Sequence, residues 1–243
     1  MIRAHIAAYR IIHETRRAMG HHDTKVGAAH HLRLFEPKRG TPGQRLAAFL
    51  QDRLFHEIFI TGMSEGRFIL PIGAGYPMGR GNYQDFLGIN YYTREMVSFN
   101  PTKPGQMFGD IGTREGAPVN DLGWELYPEG LYRFCEKYYR RFRVPIYITE
   151  NGTADREDRF RARYIYDHLL QVSRLIDAGI DVQRYYHWSL MDNFEWAEGL
   201  EPRFGLAAVD YATQKRTIRP SGKFYAELCK NRGVTEAMIR KYF

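Results

Sequence analysis

The chain has 243 residues, 44% hydrophobic and 14% aromatic, which suits one sizeable core and excludes a disordered protein. No apolar stretch approaches the roughly 18 residues of a membrane-spanning helix, and no signal-peptide pattern opens the sequence, so we expect a cytoplasmic protein. The formal net charge is +7, but the basic residues do not cluster, which argues against nucleic-acid binding.

The first third of the sequence predicts a helix, a strand and a second helix. Residues 2–18 carry apolar side chains at helical spacing, and Gly20 follows as a stop signal. The short segment 25–34 is flanked by turn residues, which favours a strand. A proline at position 42 suits the first turn of a helix, and this helix is predicted to run to about Met63.

Three further strands and three further helices are predicted in the rest of the chain. A polar, Gly- and Pro-rich segment at 94–121 is too long for a simple connection, and we predict a functional loop there. Ser221 is the predicted N-cap of the last helix. The strands are predicted at 85–92, 144–149 and 182–190, and the helices at 128–141, 158–178 and 221–230.

Strand and helix therefore alternate four times, which is typical of a (β/α) barrel with its site at the carboxyl ends of the strands. Four units make half of such a barrel. We predict an α/β fold, a partial (β/α)8 TIM barrel, in a single domain over residues 1–243. A Rossmann-like sheet is the alternative, but no Gly-x-Gly-x-x-Gly follows any strand.

The cysteines and histidines give no sign of a metal site. Cys135 and Cys229 lie in predicted helices without metal-type spacing, which favours two reduced thiols. His30 and His31 are adjacent on a strand, so they point to opposite faces and cannot share one ion. We therefore expect neither a metal nor another cofactor.

Two segments carry the chemistry. Glu150 ends the stiff apolar strand 145–149 and is followed at once by Asn151-Gly152; alone, such a glutamate is usually a strand cap at a surface turn. The run Trp188–Trp196 holds two indoles, two carboxylates and an amide at a strand end. Aromatic faces stack on the C–H face of a sugar and carboxylates accept from adjacent hydroxyls, so this run indicates carbohydrate binding.

Both segments resemble the C-terminal signatures of the family 1 glycoside hydrolases, the retaining β-glucosidases and β-galactosidases. The resemblance implies hydrolysis of O-glycosyl bonds with retention, with Glu150 as the nucleophile. It places Asn90 and Tyr92 on the active-site face of the strand 85–92, with the Tyr92 hydroxyl donating to the nucleophile. Tyr91, one residue away, should point into the packing.

The resemblance also assigns the contacts to the substrate, a β-glucoside or related small saccharide. One of the histidines at 30 and 31 is expected on the aglycone side. The glycone contacts are Trp188 as the platform beneath the ring, Glu195 as the acceptor from O4 and O6, Trp196 as the donor to O3, and Phe204 as the aromatic that closes over the O6 side.

The family's general acid lies in an Asn-Glu-Pro motif, which this sequence does not contain. Phe35-Glu36-Pro37 follows the strand that resembles the family's fifth, one strand too late. We therefore expect this chain alone to be inactive or nearly so. Open sheet edges would call for the missing N-terminal half-barrel or a self-dimer as partner. The alternative is a non-catalytic carbohydrate-binding or interaction half-barrel.

Overall fold

Helices and strands alternate along the computed structural model, which describes residues 1–243. The helices are α1 (Ile2–Ala18), α2 (Pro42–Asp52), α3 (Ile58–Glu65), α4 (Glu129–Phe142), α5 (Arg161–Asp177), α6 (Pro220–Asn231) and α7 (Glu236–Tyr242). The strands are β1 (Gly27–Pro37), β2 (Phe86–Phe99), β3 (Gly109–Gly112), β4 (Ile146–Asn151), β5 (Val182–His187), β6 (Ala207–Val209) and β7 (Arg216–Ile218). A π-helical turn at Arg53–Glu57 joins α2 to α3.

The central sheet follows the order of the chain. Strands β1, β2, β4 and β5 are neighbours in that order and run parallel, while β3 pairs antiparallel with β2. The sheet does not close, so β1 and β5 are edge strands. This open arrangement of four β/α units agrees with the predicted half of a (β/α)8 barrel.

The main core lies between one face of this sheet and the helices. Leu87 and Ile89 of β2 and Ile146 and Ile148 of β4 are fully buried, each two residues apart as one face of a strand requires. They pack against side chains from α3, α4 and α5, including Leu131 of α4. The intervening residues of the strands therefore lie on the opposite, concave face.

The predicted loop at 94–121 is wrong in its first two thirds. Strand β2 continues to Phe99 and pairs with β3, so this part of the segment is a β-hairpin. Polar residues misled the prediction, because Arg94 and Glu95 are buried in ion pairs and do not mark a solvent-exposed loop. Val97 supplies the apolar residue that anchors the extension against α2.

The N-cap prediction for the last helix is also wrong. Arg219 precedes α6, and Ser221 lies inside its first turn, where its N–H and hydroxyl donate to Asp158 at 2.8 and 2.5 Å. The β6–β7 hairpin and α7 carry too little periodic signal to be predicted. No helix is both long and apolar enough to span a membrane.

Candidate active site

A β-bulge in β2 lies at the carboxyl end of the parallel sheet. Leu32 of β1 pairs with Tyr91, but Leu34 pairs with Arg94. Two residues of β2, Tyr92 and Thr93, therefore lie opposite the single residue Arg33. The extra residue breaks the two-residue alternation, because it shifts every later side chain to the other face. Thr93 is buried, and its hydroxyl donates to the carbonyl of Glu125 at 3.0 Å.

A second bulge lies beside the first, in β4. Ile89 of β2 pairs with Ile148, but Asn90 pairs with Glu150, so Thr149 is the extra residue. The Thr149 hydroxyl donates to Asn90 Oδ1 at 2.5 Å across the strands. Both bulges therefore turn side chains toward the concave face at the same level of the sheet.

Glu150 and Tyr92 meet at this level. The Tyr92 hydroxyl donates to Glu150 Oε2 at 2.6 Å. Burial, and then the charge of Glu150, raise the pKa of the Tyr92 hydroxyl well above its usual value, so it remains a donor at neutral pH. Glu150 is partly exposed, which leaves its carboxylate open to the concave face.

Tyr91 points the other way, into the core. It is fully buried, and its hydroxyl donates to the carbonyl of Tyr127 at 2.6 Å. The two adjacent tyrosines therefore occupy opposite faces of β2, in the arrangement that the sequence predicted. The role of Tyr92 in a reaction stays a prediction.

The residues after Glu150 hold the strand end in place. Asn151 is fully buried; its amide donates to the Tyr91 carbonyl at 2.8 Å, and its oxygen accepts from the Tyr185 hydroxyl at 2.8 Å. Only glycine fits at position 152, because a Cβ there would collide with the Trp188 carbonyl oxygen. The backbone of β4 therefore passes directly against the end of β5.

Trp188 and Glu195 also meet on the concave side. The Trp188 indole Nε1 donates to Glu195 Oε1 at 3.2 Å. Burial raises the pKa of Glu195, although the Trp188 hydrogen bond opposes that shift. Trp196 is 78% exposed and has no hydrogen-bond partner for its indole nitrogen, so its donor is free for a ligand.

Phe204 is placed differently from the other predicted sugar contacts. It is only 2% exposed and lies among Tyr92, Trp124 and Trp188 in an aromatic layer. Its ring is 6.1 Å from that of Tyr92 and nearly perpendicular to it. As placed, Phe204 supports the site residues from behind, and its contact with a sugar stays a prediction.

Asp192, the other carboxylate of the Trp188–Trp196 run, is a buried structural group. It accepts two hydrogen bonds from the Arg219 guanidinium, at 2.9 and 3.0 Å, and one from the Gly205 N–H at 2.9 Å. Burial opposes ionisation of Asp192, but the Arg219 hydrogen bonds outweigh it, and its pKa is lowered. Only Glu195 of the two carboxylates faces the site.

A polar cluster formed by His31, Arg33 and Glu95 lies on the β1 side, and its Arg33–Glu95 pair was not predicted from the sequence. His31 is the register partner of Asn90, and its ring lies 5.8 Å from that of Tyr92. Arg33 donates to His31 Nε2 at 3.0 Å and to Glu95 Oε1 at 3.2 Å. Burial raises the pKa of Glu95 although Arg33 opposes that shift.

His31 is therefore the histidine of the pair that lies on the concave side. His30 is buried on the other face, and burial lowers the pKa of each ring to about 4, so both are neutral near pH 7. No group of three or more His, Cys, Asp or Glu side chains is arranged to hold a metal ion.

Known proteins with similar sequences and structures are glycoside hydrolases. Residues 80–234 match the profile of Glycosyl hydrolase family 1. A β-galactosidase of Sulfolobus acidocaldarius is 36% identical over 98% of this chain and 48% of its own length. The structure superposes on the β-glycosidase of Pyrococcus horikoshii with a TM-score of 0.87 and 33% identity, over 99% of this chain and 54% of that one.

A β-glucosidase of Thermotoga maritima in complex with glucoimidazole gives a TM-score of 0.82 at 32% identity, over 96% of this chain and 56% of that one. The chain therefore spans about half the length of the relatives it matches. Its four β/α units correspond to part of the TIM barrel of these enzymes, which agrees with the predicted fold class.

Proposed function

Because this chain belongs to glycosyl hydrolase family 1, we propose that it forms the nucleophile side of a retaining β-glycosidase site. The observation that carries the proposal is the 2.6 Å hydrogen bond from Tyr92 to Glu150, at the carboxyl end of the parallel sheet. The substrate is a β-glucoside or a related small saccharide. The names of the relatives support this class.

In the proposed first step, Glu150 attacks the anomeric carbon and forms a glycosyl ester while the leaving group departs. The Tyr92 hydroxyl holds one carboxylate oxygen and leaves the other free to attack. Asn90 stands beside them, with its oxygen held by Thr149 and its NH2 group without a partner. This NH2 group is available to donate to a sugar hydroxyl.

The proposed glycone floor lies next to this pair. Trp188 offers its indole face to the sugar ring, while Glu195 accepts from the O4 and O6 hydroxyls. Trp196 donates its free indole N–H to O3, and Phe204 is the proposed aromatic contact on the O6 side. The Trp188–Glu195 hydrogen bond supports this assignment, since it orients the carboxylate before the sugar arrives.

Retention requires a second carboxyl group, a general acid about 5 to 5.5 Å from the nucleophile. This sequence contains no Asn-Glu-Pro motif that would supply this acid. We therefore propose that the acid comes from an N-terminal half-barrel. Without it, leaving-group protonation is lost, at a cost of roughly 10² to 10⁴ in rate.

A non-catalytic carbohydrate-binding half-barrel is the second candidate. The exposed indole of Trp196 beside Glu195 favours it, because a binding surface needs these groups and no acid. The two candidates differ in what happens at Glu150. A binding protein forms no covalent sugar ester there.

The decisive experiment co-expresses this chain with the N-terminal half of the Sulfolobus acidocaldarius relative. The complemented protein is expected to hydrolyse an aryl β-glucoside, and Glu150→Gln is expected to abolish that activity. Glu157→Gln, at an exposed position away from the site, is the matched control and should keep it. Sugar binding without hydrolysis in the complemented protein would favour the binding role instead.

A trapping experiment tests the nucleophile directly. With a 2-fluoro glycosyl fluoride, the glycosyl ester forms slowly and is hydrolysed even more slowly, so it accumulates on the protein. Fluoride is a leaving group that needs no general acid. Mass spectrometry of peptides from the complemented protein should find the label on Glu150. A label on any other residue would refute the assignment.

A further inference from the structure

The proposed reaction does not use the polar cluster formed by Arg33 and Glu95. The pair lies on the β1 side of Glu150, whereas the proposed glycone floor lies on the β5 side. The side chains of Arg33 and Glu95 are 28% and 11% exposed, so the pair is largely withdrawn from water but reachable. Arg33 also lies over the ring of Trp124, 5.7 Å from its centroid.

The bulge in β2 brings this pair to the site. Tyr92 and Glu95 are three residues apart, so a regular strand would direct them to opposite faces. With the extra residue at Tyr92–Thr93, Tyr92 lies against His31 while Glu95 accepts from Arg33 on the same side. Glu95 therefore lies further toward the carboxyl end of β2, about 10 Å along the strand from Tyr92.

A buried histidine holds Arg33 in position. The backbone N–H of Arg33 donates to His56 Nε2 at 3.1 Å, so Nδ1 carries the proton and donates to Asp52 at 2.8 Å. His56 belongs to the π-helical turn between α2 and α3 and is 1% exposed. Such turns and bulges often occur at functional sites.

The pair leaves hydrogen-bonding groups unused. Arg33 Nη2 has no protein acceptor, and Glu95 Oε2 has no protein donor. A donor and an acceptor side by side match the adjacent hydroxyls of a sugar and offer little to an aryl or alkyl group. In a retaining reaction the leaving group departs from the side of the anomeric carbon opposite the nucleophile.

We propose that Arg33 and Glu95 select a hydroxylated leaving group, a second sugar unit, over an aryl or alkyl one. This inference rests on the proposed function and names the substrate class of the same site. Arg33 donates to one hydroxyl of the leaving sugar and Glu95 accepts from its neighbour.

The test compares two substrates of the complemented protein, a β-linked glucose disaccharide and an aryl β-glucoside. Arg33→Leu is expected to lower kcat/KM for the disaccharide about 10- to 100-fold, the effect of losing a hydrogen bond to a charged group. The value for the aryl glucoside should change less than about threefold. Arg33→Leu combined with Glu95→Leu serves as a second variant, because it leaves no buried charge unpaired.

Arg140→Leu is the matched control, since Arg140 pairs with Glu136 on the exposed face of α4. An equal loss for both substrates in the double variant, or no loss for either, would overturn the inference while the proposed function stands. If the unsubstituted complemented protein hydrolyses neither substrate, the proposed function fails and the inference fails with it.

Discussion

Tyr91 and Tyr92 are chemically identical neighbours with opposite surroundings. Tyr91 donates to a backbone carbonyl in the core, and Tyr92 donates to the carboxylate of Glu150. The difference arises from the alternation of side chains along β2, since each residue reaches only the partners on its own face. Deleting either hydroxyl should therefore change a different property of the protein.

Tyr92→Phe is expected to lower kcat/KM of the complemented protein for an aryl β-glucoside by about 10- to 100-fold, because a charge-assisted hydrogen bond to the nucleophile is lost. Tyr91→Phe is the matched control and should retain the rate while lowering the free energy of unfolding by about 1 kcal/mol. Steady-state kinetics and urea unfolding of both variants separate these effects. Equal rates in the two variants would argue against a role for Tyr92 in the reaction.

At the level of elements, α5 buries a histidine that must stay neutral. His168 is 1% exposed, its Nδ1–H donates to the Tyr164 carbonyl at 2.8 Å, and its Nε2 has no partner. Burial lowers the pKa of His168 to about 4, against the weaker effect of that hydrogen bond. His187 of β5 is half-buried, with both ring nitrogens out of contact with water, and its pKa is lowered to about 3 by burial and then by Arg161.

These shifts predict a loss of stability in acid. Between pH 6.5 and about pH 4, His168 is protonated in the unfolded chain but not in the folded chain. The free energy of unfolding therefore decreases as the pH falls through this range. His168 alone should lower the free energy of unfolding by about 2 kcal/mol between pH 8 and pH 5. The measurement is urea unfolding at both values.

His168→Phe should flatten this dependence, since Phe can stack on Tyr164 and does not titrate. His22→Gln, at an exposed position, is the control and should leave the slope unchanged. A slope that is the same in His168→Phe as in the unsubstituted chain would contradict the assignment.

The alternation of elements was predictable because helical and strand periodicities are local. Residues 2–18, for example, form α1 as expected. The extension of β2 was not predictable, because it depends on ion pairs between residues far apart in sequence, such as Arg94 with Glu125. At the site, sequence motifs identified Glu150, Tyr92 and Trp188. The Arg33–Glu95 pair was not predictable, because it depends on a β-bulge that no local sequence pattern indicates.

The whole molecule has two unpaired sheet edges, β1 and β5, and part of its concave face is open: Tyr186 of β5 is 50% exposed. Unpaired parallel edges of this kind pair readily with another chain. The proposed N-terminal half-barrel would cover both edges at once. A second copy of this chain offers the same two strands and is the competing partner.

Hydrogen exchange distinguishes these partners. Adding the N-terminal half should slow amide exchange in β1 and β5, because their backbone groups gain partners, and should leave the already paired β2 and β4 nearly unchanged. Protection of the edges that rises with the concentration of this chain alone would indicate a self-dimer. Unchanged exchange at both edges would contradict closure of the barrel.

The bulge at Tyr92–Thr93 also divides β2 into two parts that are held in place by different contacts. Residues before it are held by the core and by Glu150, while the later ones face the opposite way and are held by α2 through Val97 and by the Arg94–Glu125 ion pair. The exposed positions of the hairpin, such as Phe99 and Ile111, can therefore change without rotating Tyr92 away from Glu150. We expect sequence differences among relatives of this chain to be more frequent at these exposed hairpin positions than at Tyr92 or Glu150.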